Sequence, residues 1–135
     1  YYFDHGYPEA DDRGLHAFHA SELPYVFDTM RQSPPAWPKA PDTPEEAETT
    51  RIIADYWTSF TRDGAPAAEN APDWPDYSDN DAILHFAQTP SVRRDLFQDM
   101  YALIDQDFER RRAAGNIPWN WLVGVATPLP APADV

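Results

Sequence analysis

The chain has 135 residues, the size of one ordinary domain, and a hydrophobic fraction of 42% that excludes the intrinsically disordered class. Its net charge is −13, with nine arginines and a single lysine, and this balance argues against a nucleic-acid partner, which would require a basic patch. The absence of cysteine excludes disulfides and thiolate catalysis, and no apolar run approaches the roughly 20 residues that would span a membrane.

The first third of the chain predicts a strand, a loop and a short helix. The aromatic residues within 1–4 favour a strand, and residues 5–14 are typical of an acidic surface loop. Ser21 can cap a short helix that runs to about Gln32. Residues 33–42 contain four prolines and should form a stiff, extended connection.

The strongest element signal begins at Thr43. The sequence Thr-Pro-Glu-Glu that starts there is a capping box with proline at the first helical position, and Gly64 ends the predicted helix. Apolar residues at helical spacing supply its buried face: Ile52, Ile53, Tyr56, Trp57 and Phe60.

The second half of the chain predicts one more strand and one more helix. Residues 82–87, AILHFA, are apolar enough for a short strand. A long helix should start at Val92 and stop near Gly115, followed by a tail at 116–135. Its apolar face would consist of Val92, Leu96, Met100, Leu103 or Ile104, and Phe108.

Two short strands this far apart in the sequence cannot form a stable sheet alone. The chain also begins with YYF, already strand-like, without an initiator methionine or a signal segment. We therefore expect a piece of a larger fold, whose sheet is completed by an upstream part or a second chain.

The stretch GLHAFHASELPYVF, residues 14–27, carries the chemistry-bearing residues. As a metal site, His16, His19 and Glu22 would share one face only within a continuous helix, which Gly14 and Pro24 disfavour. The H-E-x-x-H spacing is absent as well, so we expect neither a metal nor a cofactor.

Two other interpretations of this stretch remain. In one, it is a loop that enters a packed helix and His19 has no chemical role. In the other, His19 is a general base, since partial positive charge at a following helix N-terminus disfavours the protonated ring. A base alone catalyses nothing, and the chain has no G-x-S-x-G nucleophile elbow.

Residues 17–27, AFHASELPYVF, resemble the segment around the catalytic histidine of type-B carboxylesterases, the cholinesterase-like α/β-hydrolases, and especially of their bacterial p-nitrobenzyl-esterase branch. Residues 56–78 are similar to that family's helix with Trp and Phe, its Gly-x-Pro turn and its Trp-Pro-x-Tyr loop. The similarity extends from the first residue to about Phe108.

The resemblance implies a fold and a domain organisation. The fold class would be α/β, with the chain as the C-terminal segment of an α/β-hydrolase, mostly helical with two sheet strands. Residues 1–115 would belong to the hydrolase domain and 116–135 would be a tail.

The resemblance also assigns roles. His19 would be the triad histidine, and the nucleophilic serine, the acidic triad member and the oxyanion loop would lie upstream. Glu22 would be a buried group that ties the histidine loop in place, or simply a first-turn glutamate favoured by the helix dipole. Leu15 and Phe18 would line the substrate pocket, with ordinary core packing as the alternative.

The remaining histidines, His5, His16 and His85, carry no chemistry in this interpretation. Four aromatic residues could be mistaken for a ligand cage. We expect Trp57 and Phe60 to be core residues and Trp74 and Tyr77 to anchor a proline-rich loop.

The resulting hypothesis is a serine carboxylic ester hydrolase that acts on small esters, with its upstream portion as partner. One alternative is a catalytically inactive cholinesterase-like binding or adhesion protein. Another is an unrelated acidic helical interaction module. The cellular compartment, including secretion or the periplasm, stays open.

Overall fold

The structure, a computed structural model, describes residues 1–78 and 81–115. The chain divides into two compact units, Tyr1–Asp95 and Leu96–Val135. The first unit contains a small sheet and three α-helices, and the described part of the second contains one helix. The tail expected at 116–135 lies outside the described residues, so the predicted boundary at residue 115 stays a prediction.

The sheet of the first unit has three strands in the order β1-β2-β3. The strands are β1 (Tyr2–Phe3), β2 (Ile83–Phe86) and β3 (Ser91–Arg93). β1 runs parallel to β2, with Tyr2 opposite His85, and β3 runs antiparallel to β2, with Val92 opposite Leu84. The first two strands confirm the sequence predictions, whereas the expectation of only two strands is wrong.

The helices differ widely in length. They are α1 (Pro8–Asp12), α2 (Leu23–Val26), a 3-10 helix (Met30–Gln32), α3 (Pro44–Asp63) and α4 (Gln98–Ala113). Among the residues that the structure describes, none of these helices is long and apolar enough to span a membrane.

The termini of α3 confirm the predicted N-cap at Thr43 and the end at Gly64, but the reciprocal bond of a capping box is not formed. Thr43 is the N-cap, and its hydroxyl accepts a hydrogen bond from the Glu46 N–H at 3.3 Å. Gly64 ends the helix in the left-handed conformation, with φ of 74°, which glycine adopts without a steric penalty. The Glu46 side chain does not return to the Thr43 backbone as in a reciprocal capping box, because it bonds to His5 and Tyr25 instead.

The core lies where α2, α3 and β2 meet. Its buried members are Tyr25, Ile52, Ile53, Tyr56, Leu84 and Phe86. Burying each of these large side chains stabilises the fold by about 1.5–3 kcal/mol. Trp57 packs against this cluster while half-buried, whereas Phe60 is 56% exposed, so its assignment to the core is wrong.

Two predictions near the start of the chain need correction. Within the predicted loop 5–14, residues Pro8–Asp12 form α1, since Pro8 occupies the first helical turn where its missing N–H is harmless. The helix after Ser21 does not run unbroken to Gln32, and its N-cap residue is Glu22.

The helix predicted from Val92 begins six residues late. Val92 belongs to β3, and Asp95 and Phe97 adopt left-handed backbone conformations, with φ of 56° and 61°. Two such residues interrupt a right-handed helix, so α4 starts only at Gln98.

Candidate active site

The segment that carries His19 is a run of tight turns leading into α2. The Ser21 N–H donates to the Phe18 carbonyl at 3.0 Å, and the Leu23 N–H donates to the Ala20 carbonyl at 3.1 Å. The Glu22 carbonyl then accepts from Tyr25 at 3.0 Å, which closes the first turn of α2. Backbone hydrogen bonds therefore link the histidine turn directly to the short helix.

His19 is exposed in the first unit, and its imidazole makes no side-chain hydrogen bond with the described residues. The next residue, Ala20, has φ of 65°, in the left-handed region that is rare for a residue with a Cβ. The His19 imidazole therefore has no hydrogen-bond partner in this segment. The unfavourable backbone conformation of the next residue persists only because the surrounding structure holds it in place.

The two predicted pocket residues flank this turn in different environments. Phe18 is half-buried and meets Trp37 edge to face, with ring centroids 5.0 Å apart. Leu15 is 44% exposed. The Phe18–Trp37 contact fixes the start of the histidine turn against the proline-rich connection, and the pocket role of both residues stays a prediction.

Glu22 is half-buried, and its carboxylate forms no side-chain hydrogen bond with the described residues. Burial raises the pKa of the Tyr1 phenol, and the nearby Glu22 charge raises it further. Glu22 thus acts electrostatically on Tyr1, and its predicted part in holding the histidine loop is still a prediction.

Two other histidines, His16 on the surface and His85 in the sheet, each contact an acidic side chain. His16 Nδ1 lies 2.9 Å from Asp11 Oδ1 at an exposed position. His85 Nε2 lies 3.4 Å from Asp4 Oδ2 at the edge of β1. Both rings therefore have acidic partners, and we assign them no catalytic role.

A buried polar cluster centred on Glu46 was missed by the sequence analysis. The His5 Nε2–H donates to Oε1 at 3.1 Å and to Oε2 at 3.3 Å, and the Tyr25 hydroxyl donates to Oε1. Glu46 is only 8% exposed. The capping pattern pointed to Glu46, but no local signal connects it with residues 41 and 21 positions away.

Burial alone would raise the pKa of Glu46, but the hydrogen bonds from His5 and Tyr25 outweigh it and hold the pKa below its ordinary value. Tyr25 responds in the opposite direction. Burial and its bond to the Glu46 carboxylate raise the pKa of the Tyr25 phenol far above its usual range. Glu46 is therefore an ionised acceptor and Tyr25 a neutral donor.

The four aromatic residues do not form a ligand cage. Trp57 and Trp74 meet edge to face at 5.5 Å and both pack against the core. Trp74 therefore anchors its loop as predicted, whereas Tyr77 is 65% exposed and does not. Within residues 1–78 and 81–115, no group of three or more histidine and acidic side chains could hold a metal ion.

Comparison with known proteins shows the family to which the chain belongs. The model of the carboxylesterase family matches residues 1–104, which include the whole histidine turn. The chain is 33% identical to human cocaine esterase over 82 residues, 61% of this chain and 14% of that protein. It is 32% identical to the acylcarnitine hydrolase of Mus musculus over 102 residues, 71% of this chain and 17% of that protein.

Solved structures agree with these relatives. The carboxylesterase EST55 of Geobacillus stearothermophilus superposes with a TM-score of 0.57 at 30% identity, covering 74% of this chain and 20% of that one. A PNB esterase superposes with a TM-score of 0.54 at 25% identity, covering 65% and 17%. The chain therefore spans a fifth or less of each of these four proteins.

Proposed function

Because this chain belongs to the carboxylesterase family and is a segment of its α/β-hydrolase fold, we propose that it supplies the triad histidine of a serine carboxylic ester hydrolase. The observation that carries the proposal is the family match over residues 1–104, which contain His19 in a turn with an unoccupied imidazole. The serine, the acidic triad member and the oxyanion donors come from the rest of the protein.

The chemistry assigned to His19 is proton transfer. Its neutral ring takes the proton from the serine hydroxyl as the oxygen attacks the ester carbonyl, and then protonates the departing alcohol. A water molecule next gives its proton to the ring as it attacks the acyl-enzyme. The ring returns this proton to the serine oxygen when the acid leaves, so the enzyme ends as it began.

The exposure of His19 within this segment supports that role. A general base must come within hydrogen-bond reach of the proton that it takes, about 2.6–3.2 Å between heavy atoms. In a triad, one ring nitrogen of the histidine bonds to the acidic member and the other takes the serine proton. Neither nitrogen of His19 has a side-chain partner among the described residues, so both are available for these contacts. The relatives described above are named as hydrolases or esterases, and none of them supports the alternative of an inactive adhesion protein.

The test compares His19→Ala with His16→Ala in the hydrolase that contains this chain, using short p-nitrophenyl esters. Loss of a triad base lowers kcat by about 10⁴- to 10⁶-fold. We expect a loss of this order for His19→Ala and less than about tenfold for His16→Ala, which only breaks an exposed contact. Equal, mild losses in both variants would remove His19 from the mechanism.

A further inference from the structure

One carboxylate joins three segments that are distant in the sequence. Glu46 lies in the first turn of α3, His5 follows β1, and Tyr25 lies in α2. Both donors reach the same carboxylate, and all three side chains are buried, with Tyr25 completely inaccessible. The Glu46 cluster (His5, Tyr25 and Glu46) therefore sets the position of α2 relative to α3.

Burying a carboxylate between two helices costs desolvation free energy. Replacing buried charged groups by well-packed apolar ones is often neutral or even stabilising, so stability alone is a weak reason for such a cluster. Hydrogen bonds to a carboxylate have defined directions, and they fix orientation in a way that apolar packing does not. What the Glu46 cluster provides is a defined orientation for α2.

The orientation of α2 is transmitted to the histidine turn by backbone hydrogen bonds. The Tyr25 N–H bonds to the Glu22 carbonyl, the Leu23 N–H to the Ala20 carbonyl, and the Ser21 N–H to the Phe18 carbonyl. His19 lies within this run of hydrogen-bonded turns, and Ala20 is in an unfavourable left-handed conformation. A rotation of α2 would therefore move the imidazole.

We infer that the Tyr25–Glu46 hydrogen bond is a positioning device, through which α3 orients α2 and aims the His19 imidazole at its reaction partners. This inference rests on the proposed role of His19. Neither Tyr25 nor Glu46 contacts a reacting atom in this account. Misplacement by about 1 Å can lower a catalytic rate by about two orders of magnitude, so loss of the bond should be visible in kcat.

The chain offers a matched control for Tyr25. Tyr56 is also completely buried, also belongs to the core cluster, and its hydroxyl donates to the Pro72 carbonyl in the segment after α3. Tyr25→Phe and Tyr56→Phe therefore each remove one buried hydroxyl, but only the former releases α2. In the hydrolase that contains this chain, we expect Tyr25→Phe to lower kcat by about 10- to 100-fold with little change in KM. Tyr56→Phe should lower the thermal midpoint by about as much as Tyr25→Phe does, but it should change kcat by less than about threefold.

A double-mutant cycle separates positioning from general damage. If Tyr25 acts through His19, Tyr25→Phe should lower the residual rate of the His19→Ala enzyme by less than about twofold. Glu46→Gln should lower kcat by about as much as Tyr25→Phe does. In the His19→Ala enzyme it should likewise lower the residual rate by less than about twofold. Equal losses from Tyr25→Phe in both backgrounds, or equal kcat for Tyr25→Phe and Tyr56→Phe, would overturn the inference while His19→Ala still tests the proposed function separately.

Discussion

His5 and Glu46 are 41 residues apart in the sequence and form a buried pair, with Nε2 3.1 Å from Oε1. The pair connects the end of β1 to the first turn of α3, and the Tyr25 hydroxyl completes it from α2. Its carboxylate is ionised in the folded protein, with a pKa below the ordinary value, because the two hydrogen bonds outweigh the effect of burial.

The first prediction concerns the pH dependence that follows from this pair. A carboxyl whose pKa is lowered by folding stabilises the native state above its unfolded-state pKa, which is near 4.5 for glutamate. It loses that contribution as the pH falls through the folded-state pKa. Glu46→Gln should therefore lower the free energy of unfolding by about 1–3 kcal/mol at neutral pH. The difference in thermal midpoint between the unmodified protein and the Glu46→Gln variant should become smaller below about pH 4.

Glu45→Gln is the control for this experiment, since it removes a charge from the same helical turn at an exposed position. It should change the free energy of unfolding by less than about 0.5 kcal/mol. If the difference in thermal midpoint caused by Glu46→Gln stays constant down to about pH 3, the Glu46 carboxylate is not the group whose protonation changes the stability.

The second prediction concerns the N-cap of α3. Thr43→Ala removes the oxygen that accepts from the Glu46 N–H, and should lower the free energy of unfolding by about 1 kcal/mol. Thr61→Ala is the matched change, at an exposed threonine in the last turns of the same helix whose hydroxyl donates to the Trp57 carbonyl. Chemical denaturation of both variants should show a loss for Thr43 and a change within about 0.5 kcal/mol for Thr61. Equal effects would contradict the cap.

The third prediction concerns the backbone beside His19. Ala20 has φ of 65°, where a β-branched side chain clashes with the backbone more severely than alanine does. Ala20→Val should lower the free energy of unfolding by about 1–2 kcal/mol, while Ala20→Gly should be neutral or raise it by up to about 1 kcal/mol.

Ala47→Val serves as the comparison for this pair, because Ala47 is an exposed residue of α3 with ordinary helical geometry. That substitution should cost about 0.5 kcal/mol through helix propensity alone. If Ala20→Val proved no more harmful than Ala47→Val, the left-handed turn would not be part of the folded protein.

The sequence predicted elements wherever the local chemistry was unambiguous. The capping threonine, the proline after it and Gly64 defined α3 almost to the residue, and the apolar run at 82–87 gave β2. The spacing of Val92, Leu96 and Met100 matched a helix equally well, but the left-handed residues before α4 follow no glycine or proline signal. Periodicity therefore placed a β3 residue in a helix.

The candidate site divides in the same way. The histidine motif could be found because its residues are adjacent in the sequence, and the family match includes it. The Glu46 cluster could not be found, because its three members lie in three segments and meet only in the folded chain. The sequence pattern explained Glu46 as a capping residue, and this explanation hid the bonds that its side chain actually makes, to His5 and Tyr25.

The most direct test of the central claim is the rate of the p-nitrophenol burst, measured by stopped flow with p-nitrophenyl acetate and the full-length protein that contains this chain. This burst reports acylation alone, the step in which we propose that His19 takes the serine proton. We predict that His19→Ala slows the burst by about 10⁴-fold or more while His16→Ala leaves it within about tenfold. A burst of unchanged rate in His19→Ala would contradict the account and leave His19 as a surface histidine of the fold.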